Sequence, residues 1–322
     1  MTATPTPKEA DWESAPNLIE GAMTLELTPE TCDLDYWLSA VAQGTLRGLV
    51  RGHTAGARIP EYMRREGPLR SALISELGFR SVAEEKATRA ITVLVDTAPT
   101  IPTMEFYATQ LIDEARHARV FRDHIVDLGV PQDELARTIE EFSGDDVRKV
   151  LEPLEEFTQP LREQGDFMGG VVTLTVLVEG VLAPAAELSE RKWRVLDPAA
   201  AQIERGAGID EIRHLTVGSS VVRTHLRDHP EDTGRLADLI RRGRDLWGSV
   251  PVLEMLGRRE ALFQRGLEEH ADAVGDYEIW PGRRLVDTTA PERIEQALTW
   301  SSDMQDQRME YMGLTAAMAA GG

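Results

Sequence analysis

The sequence reads as an all-α protein: a four-helix bundle whose two helix pairs are joined by a long crossover, with additional flanking helices. Three observations predict it. Long segments repeat their apolar residues at helical spacing, and no stretch alternates as a strand would. Clusters of Pro and Gly divide those segments into lengths of one helix each. Finally, the string Asp113-Glu114-Ala115-Arg116-His117 returns 97 positions later as Asp210-Glu211-Ile212-Arg213-His214, on the second helix of each predicted pair.

In chain order, residues 1–32 read as a flexible N-terminal tail, and a first helix is expected over 33–53. A second covers 69–97 and stops at Ala98-Pro99-Thr100-Ile101-Pro102. The third runs on to about residue 128, where Gly129 and Pro131 end it. Shorter acidic helices fill 132–156. A long apolar helix spans 166–193 and is broken by Leu196-Asp197-Pro198, and its partner covers 199–227. Further helices lie in 234–274, residues 275–291 read as a loop, and the Ala/Gly-rich end after Leu314 reads as frayed. One helical domain over 33–275, with a metal-binding core at 69–227, is therefore expected. A loop and C-terminal helical tail, 276–322, would pack on the same domain.

Composition narrows the function. Of 322 residues, 55 are acidic and 35 basic, a formal charge of −20, which argues against a nucleic-acid partner. The sole cysteine, Cys32, excludes a disulfide framework and a self-contained iron–sulfur cluster. Residues 1–30 carry no basic segment followed by an apolar run, so no secretory signal is read and a cytoplasmic protein is expected. Residues 168–186 hold a single charge, Glu179, and are long enough for a membrane span. Gly169, Gly170, Thr173, Thr175 and Pro184 dilute that run and no second such segment exists, so a buried core helix is expected rather than a membrane span.

The chemistry follows from the doubled string. A D-E-x-R-H pentamer should arise by chance on the order of 0.005 times in a chain of this composition. In each copy Glu and His are three residues apart, 60° on one helix face, so both can reach one ion. Around Glu114, that face also carries Tyr107, Leu111, Ala118, Phe121 and Ile125, and an unpaired carboxylate among them would be costly. Metal coordination compensates it. Two metals need bridging carboxylates from the other helix of each pair. Upstream the candidates are Glu84 and Glu85; Glu84 lies at the edge of the stripe formed by Ala83, Ala87, Ala90, Ile91 and Leu94, and Glu85 lies 100° further towards solvent. Glu84 and Glu114 also stand at similar heights above the turn, within about 3 Å. Downstream Glu179 has no competitor. The candidate ligands are thus Glu84, Glu114, His117, Glu179, Glu211 and His214, a set suited to iron or manganese. Asp113 and Asp210 are expected to orient the imidazoles, each serving the histidine of the opposite half, and Arg116 and Arg213 to balance charge. Gly206 and Gly208 mark either room or a helix bulge beside the metals, or close helix packing. Glu204, two turns before Glu211, reads as a partly exposed helix residue, with an auxiliary ligand or proton carrier as the alternative.

These residues resemble the ferritin-like di-iron carboxylate superfamily, in its oxygen-activating branch, over about residues 69–227. That family uses two Glu and two E-x-x-H units on four helices. The text around Glu84 and Asp113 is similar to oxygenases of bacterial natural-product pathways, in particular the VlmB-like proteins associated with azoxy formation. The resemblance implies a ferritin-like fold and two iron ions (Fe/Fe, with Mn/Fe as the variant). It further implies O2 as co-substrate and N-oxygenation of a small molecule, with C–H hydroxylation or desaturation as the runner-up. Three relatives are not reproduced. The radical Tyr of ribonucleotide reductase small subunits falls at Phe121, the third His of p-aminobenzoate N-oxygenases at Ala207, and the Thr of hydrocarbon monooxygenases at Ala183. No flavin or dinucleotide fingerprint is present, so electrons are expected from a partner reductase or ferredoxin or from the substrate itself. A homodimer is the expected assembly. From another class, the competing expectation is a non-catalytic iron-binding bundle.

Overall fold

The computed structural model describes residues 8–12, 14–46 and 51–315. Its described residues are predominantly helical. α1 is Leu18–Thr24, and α2 begins as Leu34–Tyr36 and continues in π-helical form as Trp37–Leu46. The first helix expected over 33–53 therefore ends earlier: residues 51–53 form a turn and bend, and 47–50 lie outside the described residues. α3 is Pro68–Thr97 and α4 is Ile101–Asp127. α5, Leu135–Asp146, passes through the π-helical turn Val147–Leu151 into α6, Glu152–Gln164, eight residues longer than the acidic segment suggested. α7, Phe167–Val172, continues through the π-helical segment Thr173–Glu179 into α8, Gly180–Trp193. α9 is Pro198–Asp228, followed by α10, Thr233–Ser249, α11, Val252–Glu269, and the single turn α12, Ala271–Val274. Within the expected loop, β1 (Glu278–Trp280) and β2 (Arg283–Arg284) form a two-stranded hairpin, and α13 runs from Ala290 to Met312.

Local chemistry sets these boundaries. Pro sits in the first turn of α3, α4 and α9, where its missing N–H costs nothing. Thr100 caps α4 through the Thr103 N–H, and Asp197 caps α9 through the Ala200 N–H. α6 ends at Gly165, whose φ of +62° is the left-handed conformation that other residues adopt at a cost. α13 begins with a reciprocal cap in which Thr289 and Glu292 each bond the other's backbone N–H.

α3 pairs with α4 and α7–α8 pairs with α9, with α5 and α6 forming the crossover; this is the ferritin-like four-helix bundle expected from the sequence. α11 packs on α3, and α13 lies against α8, α9 and α11. At one end of the bundle Trp193 is fully buried and meets Phe263 edge to face at 5.2 Å, while Phe106, Val171, Leu177 and Val217 fill the other end. Burying such side chains contributes about 1.5–3 kcal/mol each. The chain Phe167–Trp193 is long and apolar enough to cross a membrane, but 72% of its most apolar window is buried against the other helices. It is the bundle's core helix.

The described part of the expected N-terminal tail is folded onto the bundle. Leu18 and Ala22 pack with Ala183, Ala186 and Leu215, and Glu187 accepts the Leu18 N–H at 3.0 Å. Asn17 caps α1 through the Glu20 N–H. The apolar residues Leu18, Ile19, Ala22 and Met23 are enough for one small helix once α8 and α9 offer a groove. Gly206 and Gly208 serve that contact. A side chain at Gly206 would meet Trp12 at 3.5 Å and one at Gly208 would meet Leu18 at 3.5 Å. They are packing positions in a regular α9. The irregularity the sequence placed near them lies on the facing helix, at Thr173–Glu179.

Candidate metal centre

The structure brings all six predicted ligand residues to one point midway along the bundle. Glu84 comes from α3, Glu114 and His117 from α4, Glu179 from the end of the π-helical segment, and Glu211 and His214 from α9. Two groups of potential ligand atoms form, each within 4.8 Å: Glu84, Glu114, His117 and Glu211, and Glu114, Glu179 and His214. Glu114 belongs to both. Its two oxygens face the two imidazoles, Oε2 at 3.5 Å from His117 Nδ1 and Oε1 at 3.2 Å from His214 Nδ1. Glu211 also reaches towards both halves, at 3.8 Å from His214 Nδ1. Two ions held here would have Glu114 between them, with Glu211 reaching towards the second half less closely. Glu84, 4.0 Å from His117 Nδ1, and Glu179, 3.7 Å from His214 Nδ1, stand at the ends, contrary to the bridging role the sequence suggested for them. Glu85 points away and pairs with Arg89 at 2.9 Å and Arg122 at 2.6 Å.

The far side of each imidazole is held crosswise, by the aspartate of the opposite pentamer. His117 Nε2–H donates to Asp210 Oδ2 at 3.0 Å, and His214 Nε2–H approaches Asp113 Oδ2 at 3.4 Å. Arg213 donates to Asp113 at 2.5 Å and to Asp210 at 3.1 Å, and Arg116 also pairs with Asp210. Because the carboxylates accept from Nε2, both Nδ1 atoms face the glutamates, and each offers a lone pair there once its ring is neutral. The sequence did not point to two further contacts on this shell, from Trp37 and Gln110, or to the pairing of Tyr36 with the buried Glu9 near it. Trp37 Nε1–H donates to Asp113 at 3.1 Å, Tyr36 bonds the buried Glu9, and Gln110 donates its amide to Glu179. Gln110, one turn before Glu114, was legible as the uncharged polar residue on that face; Glu9 and Trp37 carried no signal.

The donor set fits a pair of divalent ions. His117 Nδ1, His214 Nδ1, Glu114 Oε1, Glu179 Oε2 and Glu211 Oε2 are buried without a hydrogen-bond partner. Leaving such atoms bare costs about 1–3 kcal/mol each, so five converging on one point call for cations. Charge agrees: four glutamates balance two divalent ions, and Asp113 and Asp210 balance Arg116 and Arg213. Burial, with Glu114 next to it, pushes the Glu84 carboxyl well above the usual range, and burial with Glu211 does the same to Glu179. Burial also acts to raise Glu114, but the flanking His117 and His214 outweigh it and hold that carboxyl well below the usual range. Burial opposes protonation of both imidazoles, yet their carboxylate partners raise His117, and raise His214 further.

The π-helical segment positions Glu179. Its one-residue insertion leaves backbone carbonyls outside the regular ladder, and side chains from outside the four helices take them up. Trp247 of α10 donates to Leu177 O at 2.7 Å, and Ser301 and Gln305 of α13 donate to Gly180 O, each at 3.1 Å. Its bulged side chains fit against two glycines: a Cβ at Gly218 would lie 2.2 Å from Thr175 Oγ1, and one at Gly243 2.1 Å from Leu177 Cδ1.

Glu204 is buried rather than partly exposed. It pairs with Arg80 and accepts from Ser189 at 3.2 Å, and burial raises its carboxyl to about 7 against the pull of Arg80. Arg80 also reaches Glu84 at 3.8 Å, so Glu204 meets the centre through that guanidinium rather than as a ligand.

The centre is open on one side. A cavity of about 790 Å³ has Glu84, Glu114, Glu179 and Glu211 in its wall, with Ala87, Val178, Leu182 and Ala183 beside them. Exposed Leu253 and Leu298 stand in its outer part. The histidine side is closed by Asp113, Asp210, Arg213 and Trp37.

No family model and no curated protein matches the chain. A solved structure of a protein with aldehyde deformylating oxidase activity from Synechococcus is similar to it over 79% of this chain and 96% of that one, with TM-score 0.56 and 18% identity. At this identity the likeness shows a shared ferritin-like fold.

Proposed function

We propose that the chain is an O2-dependent oxidoreductase with two iron ions held by Glu84, Glu114, His117, Glu179, Glu211 and His214. The observation that supports this reading most is the convergence of unpartnered nitrogen and carboxylate lone pairs on one point beside an apolar-walled cavity. Bound there, the ions supply the redox chemistry that couples reduction of O2 to oxidation of a small molecule.

The protein's own residues do the rest. Asp113 and Asp210 hold the imidazoles in the tautomer that offers Nδ1. Gln110 fixes the Glu179 carboxylate, and the closed histidine side leaves the cavity as the face from which substrate approaches. Ala87, Val178 and Ala183 exclude water beside the carboxylates. The favoured reaction is N-oxygenation: an amine, O2, two electrons and two protons give a hydroxylamine and water, the electrons coming from an external reductase or ferredoxin. The apolar wall beside the carboxylates supports C–H oxidation as the second reading. That the structural neighbour is described as an oxidase fits either.

The test is O2 uptake by anaerobically loaded ferrous protein with a chemical reductant, followed by mass spectrometry of candidate small amines. Uptake coupled to a product 16 mass units heavier at nitrogen is expected. Absence of uptake with two irons bound would reject the enzyme in favour of an iron-binding bundle.

A further inference from the structure

A second cluster of possible ligands lies away from the carboxylate centre. His124 is seven residues beyond His117 on α4, about 10 Å further along the helix. Beside it are Asp127, one turn later, and His53, in the turn at residues 51–53. One ligand atom from each lies within 4.8 Å of the others.

Each imidazole is already held by one nitrogen. His124 Nε2–H donates at 3.1 Å to Asp197, a fully buried carboxylate that also caps α9. His53 Nδ1 lies 2.9 Å from the carbonyl of Thr54 and, facing an acceptor, carries the proton. The opposite nitrogens, His124 Nδ1 and His53 Nε2, are therefore bare lone pairs, buried and without a donor. Asp127 offers the third atom. Its Oδ1 accepts from the exposed Arg51 at 2.6 Å, while Oδ2 stands 3.9 Å from His53 Nε2. That is too far for a hydrogen bond and about 0.5 Å beyond the separation of two ligands on a tetrahedral ion, a gap that a small turn of the Asp127 carboxylate closes.

The turn that presents His53 is tied down. Thr54 N–H donates to Gln202 of α9 at 2.9 Å. Gly52 has φ of +76° and lies so close to α4 and α9 that a Cβ would sit 3.1 Å from Ile203 and 3.2 Å from Val120. A larger residue at position 52 would face both strain and a tight contact.

We propose that His53, His124 and Asp127 bind a single divalent transition ion of the zinc type, separate from the carboxylate centre. Two neutral imidazoles and one carboxylate form a recognised set for such ions, and Asp197 is the outer carboxylate that orients a ligating histidine. The ion pins the 51–54 turn across the end of α4 and the start of α9.

The experiment counts zinc bound by the full-length protein after saturation and gel filtration, in wild type and in His53→Ala and Asp127→Asn. Both variants are expected to hold one equivalent fewer per chain than wild type, and to lose the part of the zinc-induced rise in melting temperature that this site contributes. Because the readout is a difference of one, it does not depend on whether the carboxylate centre takes two ions. Asp127→Asn is isosteric at a helix end, so it reports even if His53→Ala disturbs the turn. Equal zinc content in wild type and both variants would overturn the proposal and leave water as the partner of the two bare nitrogens.

Discussion

Glu114 is the residue on which the centre turns, because it alone belongs to both groups of ligand atoms. Glu114→Ala is expected to abolish tight binding of both irons, whereas Glu179→Ala removes an end ligand whose loss also weakens the pair. Glu85→Ala should leave iron content unchanged, since that side chain pairs with Arg89 and Arg122 at the surface. Iron analysis of the purified variants separates these outcomes. Asp210→Asn is expected to weaken iron binding about 10–100-fold without emptying the site, measured by chelator competition. At this scale the sequence was informative. The i, i+3 spacing of Glu and His, the isolation of Glu179 in an apolar run and the place of Glu84 at the edge of its helix's apolar stripe carried the six side chains, because helix phase is read directly from residue number. What spacing could not show was which carboxylate bridges, since that depends on how far two helices stand apart. For the same reason Glu204 looked half exposed until α3 supplied Arg80.

At the level of the element, the π-helical segment Thr173–Glu179 sets where Glu179 points. Gly218→Ala drives a methyl into Thr175 and is expected to displace the segment. Iron affinity should then fall by at least the factor seen for Asp210→Asn, with helix content by circular dichroism unchanged. Trp247→Phe keeps an aromatic ring but deletes the pyrrole edge that carries the donor to Leu177 O, and the unsatisfied carbonyl alone costs about 1–3 kcal/mol in denaturant unfolding. The helix itself was evident from its apolar run and its breakers, but the insertion was not. A π turn leaves little trace in periodicity, and the glycines that accommodate it, Gly218 and Gly243, sit on other helices. Gly206 and Gly208 drew attention because they neighbour the second pentamer, yet they receive the N-terminal segment.

Across the whole molecule, the fold gathers four carboxylates in a buried place and closes one side of it with Trp37 and with Tyr36 paired to the buried Glu9. Glu84 and Glu179 have raised pKa values, so in the metal-free chain they keep protons that the unfolded chain releases above the ordinary carboxylate range. The folded state then binds more protons than the unfolded one, and metal-free stability falls as pH rises through that interval. Ion binding requires the ionised carboxylates and neutral imidazoles, so affinity should rise with pH, and loading at neutral pH should release protons from Glu84, Glu179 and the raised His214. Calorimetry in buffers of different ionisation enthalpy measures that release; a value of zero would contradict the raised carboxyls. The bundle was legible because four long helices with clear breakers have few ways to bury their apolar faces. The N-terminal cover was not: Glu9, Leu18 and Trp37 gain meaning only against a formed α4, α8 and α9.

The central claim is that six side chains hold two ions with Glu114 between them. An anomalous-scattering crystal structure of the iron-loaded protein tests it most directly. Two iron peaks are expected, one on the His117 side and one on the His214 side, with a Glu114 oxygen directed at each. A single iron, or two irons with Glu114 turned away, would contradict it.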